Sequence, residues 1–138
     1  MHNDWLLGKV HREHHAVGVG QGVALEYYDY LKPSIFFLMW EPFMFSVPAG
    51  CGWLVGTNAF AFFSAFAHQL QHENPAKCFW MSMPIHYVHH HHKMWHYNFG
   101  MAVDWWDHIF RTYRYKDDWR EGLEPALAQK SIFQIKWW

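Results

Sequence analysis

Cysteine is scarce in this chain: Cys51 and Cys78 are the only two in 138 residues. They are too few and too oddly placed for a disulfide framework or a CxxC metal or redox motif, and both are expected to be ordinary packing residues. Charge is sparse as well, at 17% of residues with a formal net charge of -1. With Lys and Arg scattered there is no extended basic surface to follow a phosphate backbone, which excludes nucleic acid as a partner. No apolar run follows a basic start, so no secretory signal peptide is expected, and neither end carries a lipidation motif. Flavin, haem and nicotinamide fingerprints are all missing.

What is plentiful is apolar and aromatic. The chain is 51% hydrophobic and 21% aromatic, with 10 Trp and 12 Phe, which is far from a disordered composition and has room for one domain, residues 1–138. So many wide, amphipathic rings exceed the needs of a small soluble core and suit the headgroup region of a bilayer. Between residues 33 and 67 the only charge is Glu41, so this segment is the candidate membrane element. Intramembrane charge is costly, and Glu41, just before Pro42, is expected to mark a bend near the surface. As a single helix the segment would reach about 50 Å, well beyond a hydrocarbon core of about 30 Å. A shallow hairpin turning at Pro48-Ala49-Gly50-Cys51-Gly52 is the expectation, with arms of about 15 residues, short of the roughly 20 of a full span.

The 13 histidines carry the chemistry. Eight fall in three clusters, His11-x-x-His14-His15, His68-x-x-x-His72 and His86-x-x-His89-His90. Offsets of three and four put imidazoles one turn apart on one helix face, so that each cluster can aim several nitrogens at one point. If the clusters share a site, both ends of the apolar segment lie on the same side of the membrane. Lys9, Arg12, Lys32, Lys77, Lys93, Arg111 and Arg114 all fall on that histidine-bearing side, which the positive-inside rule makes cytoplasmic. The fold class expected is therefore all-α, an integral membrane helical hairpin with a cytoplasmic histidine-rich cap.

Imidazole suits Zn, Cu, Fe and Ni, so softness does not name the metal. Structural zinc is satisfied by four ligands, whereas eight or more histidines can hold two metals with positions left open. Two adjacent irons with open positions are a known solution for activating O2 against a saturated C–H bond. Phe36, Phe37, Trp40, Phe60, Phe62, Phe63 and Phe66 would line a route from the bilayer to such a centre, although packing is the more ordinary role for such a stripe. His91 and His92 are expected to flank the ligand pair, and His96 and His108 to lie outside it. Asp104 and Asp107 either orient ligand histidines through the second ring nitrogen or are solvated carboxylates. The aromatic, amphipathic segment 103–110 suits the membrane interface.

Taken in order, His11-Arg12-Glu13-His14-His15, His68-Gln69-Leu70-Gln71-His72, His86-Tyr87-Val88-His89-His90, Asn98-Phe99-Gly100 and Trp106-Asp107-His108-Ile109-Phe110 resemble the fatty acid hydroxylase / sterol desaturase superfamily from His2 to about Tyr113. The resemblance implies a membrane-bound diiron oxidoreductase that uses O2 to hydroxylate or desaturate a fatty acyl chain, sterol or related lipid. It implies two Fe ions, with Zn as a possible substitute, and an external electron donor of the cytochrome b5 or ferredoxin type. The ligands carried over are His11, His14, His15, His68, His72, His86, His89 and His90, with His2 as the remnant of a further motif. The partner of His2 in that motif would fall before Met1, as would a membrane hairpin, so an N-terminally truncated family domain is the expectation. A second departure is Arg111, where the family usually has Gly, at a turn that needs glycine if its φ is positive. The rival expectation, from another functional class, is a non-catalytic metal-binding membrane subunit of a larger assembly.

Overall fold

A computed structural model describes residues 20–38, 44–123 and 130–138. Among them the regular elements are all helical: α1 (Val23–Leu38), α2 (Val47–Glu73), a single 3-10 turn (Pro75–Lys77), α3 (Ile85–His91) and α4 (Trp105–Ile109). Glu41, Trp40 and the histidines at 2, 11, 14 and 15 lie outside the described residues.

The turn expected at residues 48–52 is not there. Those residues form the opening turns of α2, which starts after Ser46 with proline at the first positions of the helix. Proline is at ease in a first turn, where its missing N–H has no intrahelical acceptor and its fixed φ already fits the helix. The run that reads as a turn is thus a helix start. Nor are the arms about 15 residues each: α2 alone has 27 residues, about 40 Å of helix, and is long and apolar enough to cross a membrane.

The two ends of α2 differ. From Val47 to Phe60 only Gly50 is buried, and Trp53, Val55 and Phe60 stand out from the surface. From Ala61 onward the helix is packed, and buried side chains include Ala65, Ala67, His68, Gln69, Leu70 and Gln71. Asn74 closes it, donating its backbone N–H to Leu70 O, and Pro75 follows, which cannot continue a helix.

The first turns of α1 lie along the last turns of α2. The Gly22 N–H donates to Gln69 Oε1 at 3.0 Å, Glu26 meets His68, and Tyr27 OH donates to Asn58 Oδ1 at 2.9 Å. Residues 130–138 seal this junction: the N–H groups of Val23 and Ala24 donate to the carbonyls of Lys136 and Trp137, which satisfies donors that a helix start leaves open. Gly22 has φ 109 and the backbone of Trp138 pressed against it, 3.0 Å from where a Cβ would stand, so only glycine fits there. Val23, Ala65, Leu70 and Ile135 form the small core at this end. A second core of Cys78, Met81, Met83, Ile85, Val88 and Trp119 supports α3. Trp80 packs against both clusters, so the floor under α3 is continuous with the α1–α2 junction.

Candidate metal centre

His68 and His72 sit one turn apart near the end of α2, where the offset of four puts them on one face. His72 Nε2 is 3.1 Å from His68 Nε2 and 3.2 Å from His86 Nε2 on α3. The possible ligand atoms of these three all lie within 4.8 Å of one another. Nitrogens bound about 2.0–2.1 Å from one ion, at ligand angles of about 90–110°, stand about 2.8–3.4 Å apart, so these two separations fit a shared transition-metal ion. His90 joins the group, its ring 4.5 Å from His86 and 4.8 Å from His72. His89 adjoins it, its ring 5.6 Å from that of His90 and its edge against Phe99 and Trp95.

Two of the rings are held through Nδ1. His89 Nδ1 lies 2.8 Å from Tyr97 O, and a carbonyl can only accept, so Nδ1 carries the proton and Nε2 presents its lone pair. His68 Nδ1 meets Glu26 Oε2 in a buried contact, and Tyr30 OH donates to the same carboxylate at 3.2 Å. Glu26 is a site residue that sequence reasoning missed. Gln71, also missed and fully buried, receives the N–H of His86 on its Oε1 at 2.9 Å and donates through Nε2 to Met101 O. It thereby fixes α3 against α2.

Asp104 and Asp107, which the sequence leaves as either orienting or solvated carboxylates, do not contact the cluster's histidines. Asp104, the N-cap of α4, faces His108 at 3.5 Å. Asp107 is buried and binds the N–H groups of Phe99 and Gly100 and the hydroxyl of Thr112. It holds the Asn98-Phe99-Gly100 turn together. A Cβ on Gly100 would run into Ile85, Val103 O and Asp107, which explains a glycine there. Arg111 has φ 57, so the departure noted in the sequence does place an arginine in the left-handed region. His91 is exposed and stacks on Tyr87, and His108 stacks on Tyr113. Neither joins the cluster. Burial and the nearby Lys116 cation lower the pKa of His92.

Two apolar cavities flank the cluster. One of about 800 Å³ is lined by Tyr30, Trp53, Gly56 and Ala61. The other, of about 480 Å³, is lined by Phe99, Trp106 and Phe110. Both share Phe60, Ser64 and Met101. The larger one touches the site, because Tyr30 OH is 3.4 Å from His68 Nδ1 and 3.3 Å from Met101 Sδ. Phe63 and Phe66, by contrast, pack against Trp80 and Trp137.

A family model for fatty acid hydroxylases matches residues 1–112, a span that takes in every histidine cluster and the Asn98-Phe99-Gly100 turn. The chain belongs to the fatty acid hydroxylase family. No curated protein and no solved structure matches it. Membership in the fatty acid hydroxylase family implies an oxidoreductase and a membrane-bound protein, and it agrees with one long apolar helix and a buried histidine cluster.

Proposed function

We propose that this chain, as one domain over residues 1–138, is a membrane-embedded oxidoreductase that uses O2 to hydroxylate or desaturate a lipid at a centre of two irons. The observation that carries the reading is the convergence of His68, His72 and His86 from two helices on one point. In this proposal His11, His14, His15, His68, His72, His86, His89 and His90 hold the metals, and His2 belongs to a further motif. The paired irons supply, when bound, the O2-derived oxidant that a saturated C–H bond requires.

The chain's own residues do the positioning. Tyr97 O sets the tautomer of His89 and Gln71 sets the start of α3, so the imidazoles are aimed before a metal arrives. The uncovered, apolar first half of α2 suits a bilayer, and its packed second half bears the histidines. This division supports a centre at the membrane rim. The apolar cavities that share Phe60, Ser64 and Met101 suit a fatty acyl chain, sterol or related apolar group. The histidine side is taken as cytoplasmic, from the distribution of Lys and Arg, and electrons come from a cytochrome b5 or ferredoxin type of donor.

The test is metal content and O2 uptake of the detergent-solubilised chain with a reduced donor and membrane lipids. Two irons per chain with an oxygenated or desaturated lipid product are expected, and His72→Ala is expected to abolish both. One tightly held zinc with no O2 uptake would overturn the enzyme reading and leave a non-catalytic metal-binding subunit.

A further inference from the structure

Among the described residues two carboxylates are fully buried, Glu26 and Asp107, and they are satisfied in different ways. Asp107 takes three hydrogen bonds from a turn. Glu26 Oε1 takes only a long one, 3.4 Å, from the N–H of Gln21, and its Oε2 takes Tyr30 OH and faces His68 Nδ1. Its ion-pair partner among the described residues is that imidazole. A buried carboxylate is costly unless it is hydrogen-bonded and positive charge stands close by. The opposite edge of the His68 ring points at His72 and His86, where a cation would sit.

We propose that Glu26 is a positioning residue of the metal centre: through His68 Nδ1 it fixes the ring so that Nε2 faces the bound ion, and it balances part of the ion's charge. The inference rests on the metal-centre reading above. It makes the histidines unequal, because His68 is backed by a carboxylate and His89 by the neutral carbonyl of Tyr97. A carboxylate behind an imidazole raises its basicity as a ligand, and losing such a partner weakens metal affinity by about 10–100-fold. The competing explanation is that Glu26 merely ties α1 to α2, as Tyr27 does through Asn58.

The experiment is anaerobic titration of the metal-free, detergent-solubilised full chain with Co(II) against a competing chelator, followed by its d–d absorption. Thermal unfolding of the metal-free protein is measured alongside. Glu26→Gln is expected to weaken Co(II) binding by about 10–100-fold and to shift the d–d bands, while Tyr27→Phe lowers only the unfolding temperature. Glu26→Asp keeps the charge but withdraws the carboxylate by one methylene; it is expected to lose affinity to an intermediate degree and serves if the glutamine variant does not fold. Unchanged binding by Glu26→Gln, or an equal loss in Tyr27→Phe, would overturn the assignment. A wild-type chain that takes up no Co(II) overturns the metal centre itself, and the two failures are told apart by that control.

Discussion

Replacing Asp107 by alanine should unfold the turn that closes over the histidine cluster, and the structure sets the size of the effect. Its carboxylate accepts the N–H of Phe99 at 2.8 Å, the N–H of Gly100 at 2.7 Å and the hydroxyl of Thr112 at 2.6 Å. The residue is 1% exposed, so water does not replace the lost partner. Each charge-assisted bond is worth about 1.5–3 kcal/mol, and a buried donor left without a partner costs about 1–3 kcal/mol. Three bonds to one carboxylate are not additive, and a loss of about 3–5 kcal/mol is expected for Asp107→Ala. For a chain of this length about 1 kcal/mol moves the midpoint by roughly 3–5 °C, so the drop should be on the order of 10–20 °C. Asp107→Asn keeps the shape but turns an amide N–H toward one of the turn's own donors, and should lose about 2–3 kcal/mol. Thr112→Val removes one bond and should lose about 1–2 kcal/mol. Thermal unfolding of the metal-free protein, read by near-ultraviolet circular dichroism from its tryptophans, measures all three. An Asp107→Ala variant within about 1 kcal/mol of the parent would refute the assignment of the turn to this side chain.

Two further substitutions or modifications follow from the same region. Arg111 is held at φ 57, a conformation that costs an L-residue about 1–2 kcal/mol; after allowing for glycine's looser unfolded chain, Arg111→Gly should stabilise by about 0.5–1 kcal/mol in chemical denaturation. A destabilised variant would mean that the guanidinium makes a contact worth more than the strain. Cys78 is buried, and burial together with the Asp104 carboxylate pushes its thiol up to about 12. Since the thiolate is the reacting form, N-ethylmaleimide at neutral pH should leave Cys78 unmodified until the chain unfolds, which peptide mass spectrometry would show. Labelling of Cys78 in the folded chain would contradict its placement under α3.

The histidine spacing was legible because it is a local property: an offset of four on a helix brings two rings together whatever surrounds them, and His68 and His72 meet as that offset demands. The departure at Arg111 was visible only through the family resemblance, which has glycine there, and its φ of 57 is the conformation that favours glycine. Residues 48–52 misled because Pro and Gly signal both a turn and a helix start, and the choice depends on which side the continuing helix lies. Glu26 carried no signal at all. It lies 42 residues from His68, outside every histidine cluster and motif. Asp107 was visible as part of a motif, but neither role open to it in sequence, orienting a histidine or lying solvated, is the one it has. Its oxygens stop at backbone N–H groups and a hydroxyl instead of an imidazole, because the Asn98-Phe99-Gly100 turn lies between α4 and the cluster.

The five residues from His68 to His72 show why the cluster sits where α2 becomes buried. At about 100° per residue, His68 and His72 share one face, while Gln69, Leu70 and Gln71 point in three other directions. Gln69 takes the N–H of Gly22 ahead of α1, Leu70 enters the core with Val23 and Ile135, and Gln71 grips α3 and the carbonyl of Met101. One turn and a fraction of helix therefore binds every neighbour that the histidines need. Two buried amides in a long apolar helix are expensive unless both are satisfied, and here both are. The same pair would be costly in a bilayer near the start of α2, where only Gly50 is buried between Val47 and Phe60. Polar satisfaction thus confines the cluster to the packed end of the helix.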